Sequence, residues 1–193
     1  MKSLKPTRRL EPGDRSPLIE VETIRSEQIT VPSPEGMTHL QFRRYAGCPI
    51  CNIHLRSITR RHEEIVGAGI REVVVFHSSS EDMLPHQGEL PFAVIADPDK
   101  KLYVTFGVEK SRWALLHPQA WSRPMDPRAW VTVARGLRAG GRPYPTKRES
   151  LIGLPADFLI DIEGQVRAVK YGRHFSDQWS VDELLRLATS TRD

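Results

Sequence analysis

The sequence predicts an α/β domain with a central mixed sheet flanked by helices, and three observations carry that expectation. A cysteine pair spaced C-x-x-C, Cys48 and Cys51, sits where a strand pattern gives way to a helix pattern. A continuous β-branched run, Val73-Val74-Val75-Phe76, follows that helix pattern, as in a strand buried on both faces. Two further strand patterns and a capped helix close the chain. With 193 residues there is length for one domain and a sizeable core. Hydrophobic content of 39% and charged content of 27% belong to an ordinary globular protein, which excludes a disordered or fibrous class.

In chain order, Met1 to Glu20 is rich in Pro, Arg and Lys. It lacks the run of about 7–15 apolar residues of a secretory signal and the run of about 20 of a membrane span. The expectation is a cytoplasmic protein with no membrane partner. Glu11, Asp14 and the prolines Pro6, Pro12 and Pro17 argue against an amphipathic targeting helix, so residues 1–25 read as a flexible tail and 26–193 as the folded domain. Ile29-Thr30-Val31 and Leu40-Gln41-Phe42 flank the turn-rich stretch Pro32 to Gly36, which suggests a hairpin.

His39 to Tyr45 leads directly into Gly47-Cys48-Pro49-Ile50-Cys51. From Asn52 to Val66 the residues suit a helix, with Cys51, Leu55, Ile58 and Ile65 at helical intervals and Gly67 and Gly69 as its stop. With the Val73 run this makes a strand–helix–strand unit, the right-handed crossover of a parallel pair. Ser78 to Asp82 cap a short helix that ends by Gly88, and Phe92 to Ile95 reads as a strand. Asp97-Pro98-Asp99 opens a helix carrying Leu102, Tyr103, Val104 and Phe106, ended by Gly107. Residues 108–153 read as an irregular insertion. It holds Trp113, Trp121 and Trp130 as packing residues, a helix over Pro127 to Leu137 and a loop marked by Gly140, Gly141, Pro143 and Pro145. Phe158 to Asp161 and Val166 to Val169 are strands joined by a turn at Glu163-Gly164. The last helix, Val181 to Thr189, is announced by Ser180 and Glu183 at capping-box spacing.

Charge excludes one class of partner. There are 28 Lys and Arg against 24 Asp and Glu, a net +4, scattered in pairs such as Arg43-Arg44, Arg60-Arg61 and Lys100-Lys101. No basic run is interleaved with aromatics, so no nucleic-acid partner is expected.

The chemistry points to the cysteines. There are two, and random placement would give them this spacing about 1% of the time, so a motif is favoured. A thiolate is the attacking species, and a free thiol has a pKa of about 8.5. A helix N-terminus lowers that value because its unpaired N–H groups favour negative charge. Cys48 takes that place, with Pro49 at the first helical position. Cys51 lies one turn on, within disulfide reach, which makes Cys48 the candidate nucleophile and Cys51 the resolving residue. His54, another three residues along, reads as a surface histidine in preference to a proton acceptor or third metal ligand. Asn52 follows Cys51, so the C-x-x-C-H haem motif is absent. Structural zinc needs four ligands, and His62, His77, His86, His117 and His174 fall mostly on different elements. No metal or other cofactor is expected. Two thiolates alone suit a soft monovalent copper ion, which leaves a non-catalytic thiol metal-binding module as an alternative.

Cys48-Pro49-Ile50-Cys51 at a strand–helix junction, followed by Gly153-Leu154-Pro155-Ala156-Asp157-Phe158-Leu159-Ile160-Asp161 and Glu163-Gly164, resembles the thioredoxin superfamily. Phe76-His77-Ser78-Ser79, Ala96-Asp97-Pro98-Asp99-Lys100-Lys101-Leu102-Tyr103 and Phe106-Gly107-Val108 further resemble its AhpC/TSA peroxiredoxin-like branch. The resemblance implies a thioredoxin-like fold with the insertion placed before a strand headed by a cis-proline. Pro155 matches that proline, which packs against the cysteine pair in the superfamily and so joins Cys48 and Cys51 among the candidate catalytic residues. It implies thiol–disulfide exchange or, as the alternative, peroxidase chemistry with Cys48 oxidised to sulfenic acid. The partners implied are a disulfide or hydroperoxide substrate and an external thiol reductant. Peroxiredoxins also carry Pro-x-x-x-Thr before the reactive cysteine and an arginine near the strand that Pro155 precedes. Here Arg44-Tyr45-Ala46-Gly47 stands in the first place and Pro155 in the second, leaving Arg43, Arg44 or Arg173 to replace that arginine in space. The aromatic stretch Tyr171 to Trp179 has a loop's composition and no assigned chemistry.

Overall fold

The computed structural model describes residues 8–108 and 153–190. Its centre is a five-stranded sheet in the order β5-β4-β3-β6-β7, and a two-stranded sheet pairs β1 with β2. The strands are β1 Ile19–Glu22, β2 Gln28–Val31, β3 Met37–Phe42, β4 Ile70–Phe76, β5 Ala93–Ala96, β6 Ala156–Ile160 and β7 Val166–Tyr171. The helices are α1 Pro49–Arg60, α2 His62–Gly67, α3 Ser80–Gln87, α4 Lys101–Thr105 and α5 Val181–Ser190. Strands β3, β4 and β5 run parallel, whereas β6 and β7 are antiparallel additions, so the sheet is mixed.

Alternation along β3 divides the core in two. Leu40 and Phe42 face one side with Val73, Val75, Phe158, Tyr103 and Phe106. On the other side Val74, Phe76 and Leu159 meet Cys51, Leu55 and Ile58 of α1 and Leu184 of α5. Both faces are covered, which is why β4 is apolar throughout its second half and does not alternate. The helix expected over 52–66 is two helices, since Arg61 leaves helical geometry at φ −114°, ψ 22° between α1 and α2. The terminal capping box is present: Glu183 N donates to Ser180 Oγ at 3.2 Å and Ser180 N to Glu183 Oε2 at 2.7 Å. Gly164 turns β6 into β7 with a φ of +80°, where a side chain would be strained.

Two expectations are corrected. Strand β2 does not form a hairpin with β3; it pairs with β1, Ile19 opposite Val31 and Glu22 opposite Gln28. The stretch read as a flexible tail is packed from residue 8 onward. Leu10 is buried and its N–H donates to Tyr171 Oη at 2.8 Å, while Ile24 enters the core and its N–H donates to Val94 O at 2.9 Å. A few apolar residues spaced along a Pro- and Arg-rich stretch suffice here because each finds a preformed apolar neighbour. Residues 109–152, most of the expected insertion with its three tryptophans, lie outside the described residues. Among the described residues no helix is long and apolar enough to cross a membrane.

Candidate active site

The segment between β3 and α1 is fixed by its backbone groups. Ala46 N donates to Ser78 Oγ at 2.8 Å, and Ala46 O accepts from Asn52 Nδ2 at 3.0 Å and Gln87 Nε2 at 2.9 Å. Cys48 follows as the N-cap of α1, extended at φ −63° and ψ 111°, with Pro49 opening the helix. Its sulfur accepts from Cys51 N at 3.4 Å, the place a Ser or Asp oxygen takes in an ordinary cap. The two cysteines are free thiols, both buried, and Cys51 Sγ donates to Cys48 Sγ at 2.8 Å.

Arg44 completes this arrangement. Its Nη2 donates to Cys48 Sγ at 3.0 Å, and the side chain is buried. Three donors therefore converge on one sulfur: a guanidinium, a helix N-terminal amide and the partner thiol. Burial opposes ionisation of the pair. Against it, the hydrogen bond between the sulfurs and the charge of Arg44 bring the lower value, on Cys51, down to about 6. Burial, that hydrogen bond and the charge of its neighbour hold Cys48 well above the ordinary thiol value. The sulfurs lie 2.8 Å apart, so both values belong to the pair and not to either residue alone. Burial also works against the charge on Arg44, and the sulfurs of Cys48 and Cys51 more than restore it.

A second charged cluster lies on the same face of the sheet, on β3, β4 and β6. His39 Nδ1 is 2.9 Å from both Glu72 carboxylate oxygens, and its Nε2 is 3.3 Å from Asp157 Oδ1. Arg43 Nη2 donates to the same Asp157 oxygen at 2.6 Å and to Gln41 Oε1 at 2.5 Å, and Gln41 Nε2 donates to Glu72. All five side chains are buried. His39 loses by burial but gains more from Glu72 and Asp157, which raise it to about 9 and keep it charged at neutral pH. Asp157 is penalised by burial too, yet Arg43 and His39 hold it well below the usual carboxylate range.

Of the residues singled out in the sequence, Cys48 and Cys51 are brought together and Pro155 is not a cis-proline. The one cis peptide bond among the described residues is Val31–Pro32. Pro155 precedes β6 in a trans bond, the ordinary state of an X-Pro pair, and its carbonyl accepts from Gly172 N at 2.9 Å. Among the three arginines, Arg44 reaches the sulfur, Arg43 belongs to the second cluster, and Arg173 is an exposed partner of Asp177. His54 is half-buried on α1, one turn past Cys51. Ser79 caps α3 as expected, whereas Ser78 holds the loop before Cys48, a role that the sequence does not signal. Phe175, in a stretch whose composition signals no chemistry, has its ring 5.3 Å from the Arg44 guanidinium carbon.

The sequence model of one family, AhpC/TSA antioxidant enzyme, matches residues 57–174, more than half of the chain. The chain belongs to that family. It is accordingly an oxidoreductase of the antioxidant thiol type, with a thioredoxin-like fold. The matched span begins after Cys51, so membership of the AhpC/TSA family assigns no role to the cysteine pair. Solved structures agree on the fold. Peroxidoxin BcpB from Mycobacterium tuberculosis superposes with a TM-score of 0.67 at 13% identity, covering 95% of this chain and 99% of that one. The reduced 2-Cys peroxiredoxin of Plasmodium vivax gives 0.65 at 12% identity, over 95% and 82%. A cysteine-to-serine mutant of the peroxiredoxin 6 of Arenicola marina gives 0.69 at 12%, over 95% and 74%. No curated protein matches the chain in sequence.

Proposed function

We propose that this AhpC/TSA protein reduces hydroperoxides, with Cys48 as the attacking thiolate and Cys51 as the resolving thiol. The observation that carries the reading is the 3.0 Å contact from Arg44 to Cys48 Sγ. A guanidinium there stabilises the thiolate and offers N–H donors to the oxygen on which charge develops. The thiolate attacks one peroxide oxygen. An S–O bond forms, the O–O bond breaks, and the departing alkoxide takes a proton from water to leave as an alcohol. Cys48 is now a sulfenic acid, oxidised by two electrons. Cys51 attacks that sulfur, its proton leaves with the hydroxyl as water, and a Cys48–Cys51 disulfide remains. An external thiol, the proposed second partner, returns both residues to the reduced state. The cytoplasm, where free thiols persist, is the compartment proposed for this cycle.

A second reading, exchange with a disulfide substrate, is favoured by the contact of the two sulfurs within one helical turn. Exposure weighs against it. Cys48 is 0% exposed, and in-line approach of a protein disulfide demands far more room than a hydroperoxide. Rapid mixing of the reduced protein with hydrogen peroxide tests the proposal. Oxidation well above the rate of a free thiol, abolished by Cys48→Ser, supports it. Oxidation at the free-thiol rate removes hydroperoxide reduction and leaves disulfide exchange.

A further inference from the structure

Arg44 ends in a flexible side chain, so the contacts along its length decide how often its guanidinium stays on the sulfur. Two rings flank its guanidinium carbon: Phe175 with its centre at 5.3 Å and Tyr45 at 5.9 Å. Tyr45 is the next residue in the chain and comes with the loop. Phe175 comes from the other end of the sequence and is 4% exposed.

The loop that delivers it is fixed at its root and along its length. Gly172 N donates to Pro155 O at 2.9 Å. A Cβ at Gly172 would lie 2.7 Å from Pro155 Cγ and 2.8 Å from Asp177 O, so only glycine fits between them. Asp177 accepts from Arg173 N at 3.0 Å and pairs with Lys170 Nζ at 3.1 Å. Beyond it, Trp179 packs against the ring of His39 at 5.7 Å. The loop carrying the Phe175 ring is therefore anchored at Pro155, just before β6, and at Lys170 on β7.

We infer that Phe175 is a positioning residue for Arg44: residues 172–179 form a strap that lays its ring on the guanidinium and keeps Nη2 on Cys48 Sγ. An aromatic face attracts a cation and removes the rotamers in which Arg44 would swing away. Pro155 enters the site by this route, as the anchor of the strap. The catalytic meaning of the inference rests on Cys48 being the reactive thiolate, but the geometry does not depend on the substrate.

The test is the pH titration of the thiolate, followed by its ultraviolet absorbance in the reduced full-length protein. Phe175→Leu should raise the first ionisation of the pair so that the thiolate fraction near pH 6 falls roughly five- to tenfold. Phe175→Tyr, which keeps the ring, should titrate like the parent. Phe175→Met has no ring and a flexible chain that adapts to the space left, and it carries the same test should the leucine variant fail to fold. Adding Phe175→Leu or Phe175→Met to Arg44→Met should produce little further shift, because the ring acts through the arginine. An unchanged titration in the ring-less variants, with only a lower melting temperature, overturns the inference and leaves Phe175 as core packing. An equal shift in Phe175→Tyr overturns it as well. Peroxide kinetics are read separately, so a titration that shifts as expected in a protein without peroxidase activity would sink the hydroperoxide reading alone.

Discussion

Arg43 and Arg44 are consecutive, both buried, and held in opposite ways. Arg43 faces Asp157 at 2.6 Å and Gln41 at 2.5 Å, inside a cluster whose second cation, His39, is matched by Glu72. Those counter-charges are present whatever the state of the protein. Arg44 instead donates to the Cys48 sulfur at 3.0 Å, which in the proposed cycle carries charge only while the pair is reduced. A buried cation with a constant partner is held by that partner. The rings of Phe175 and Tyr45 add a contact to Arg44 that is indifferent to the redox state of the sulfur. Under the proposed function, the difference separates a charge that maintains the fold from one that does chemistry.

The most forceful way to break this contrast is to take away the constant partner. Asp157→Ala leaves Arg43 and His39 facing each other with one carboxylate fewer, in a region closed to water. Breaking a buried pair in this way costs about 3–5 kcal/mol, to be read from the denaturant midpoint. The thiolate titration should move far less than the stability. A variant that instead lost the low first ionisation at unchanged stability would put Arg43 and Asp157 into the redox site and dissolve the contrast.

Arg44→Met is the converse experiment. It removes a charge from one sulfur and should lower the rate of peroxide oxidation about 10²-fold, the scale of losing one donor to a developing oxyanion. The rate in the parent should rise as pH passes about 6, where the pair gives up its first proton, and in Arg44→Met that rise should move to higher pH. An unshifted rate profile would mean that the helix N-terminus alone makes the thiolate.

How these two arginines divide their work is not legible in the chain, although much around them is. The unit from β3 through α1 to β4 follows from periodicity and from Cys48-Pro49 at a helix start, and α3 and α5 follow from Ser79 and Ser180 as caps. Such signals are local. The pairing of β1 with β2 is not legible because Ile19-Glu20-Val21-Glu22 alternates over only four residues within a polar stretch, and its partner is set by the fold. The sequence offers three arginines as neighbours of the Cys48 sulfur, and only the third dimension selects Arg44. Phe175 carries no local mark of its role. Pro155 as a cis-proline comes from the resemblance alone, and the bond before it is trans.

pH offers a gentler probe of the constant cluster. His39 is raised from 6.5 to about 9, so its contribution to stability is complete below about 6.5 and is lost as pH rises through about 9. Thermal melts between neutral and alkaline pH should show that loss, and His39→Gln should flatten it. A parent whose stability stays level across this window would mean that His39 is neutral in the fold and that the cluster is not built from two matched charge pairs.

The smallest expected effect supplies the control that makes the larger ones interpretable. Ser180→Ala removes the side-chain half of the capping box on α5 and should cost about 1 kcal/mol. Helix α5 buries Val181, Leu184 and Ala188 in the same core as Cys51 and Leu55, so its loosening is felt on the face that carries both arginines. Neither the thiolate titration nor the alkaline loss of stability should move, because no charge near Cys48 or His39 has changed. If this neutral, remote destabilisation did shift the thiolate titration, the shifts of the Arg44 and Phe175 variants could no longer be read as electrostatics. They would then report only how tightly the face beneath α1 is packed.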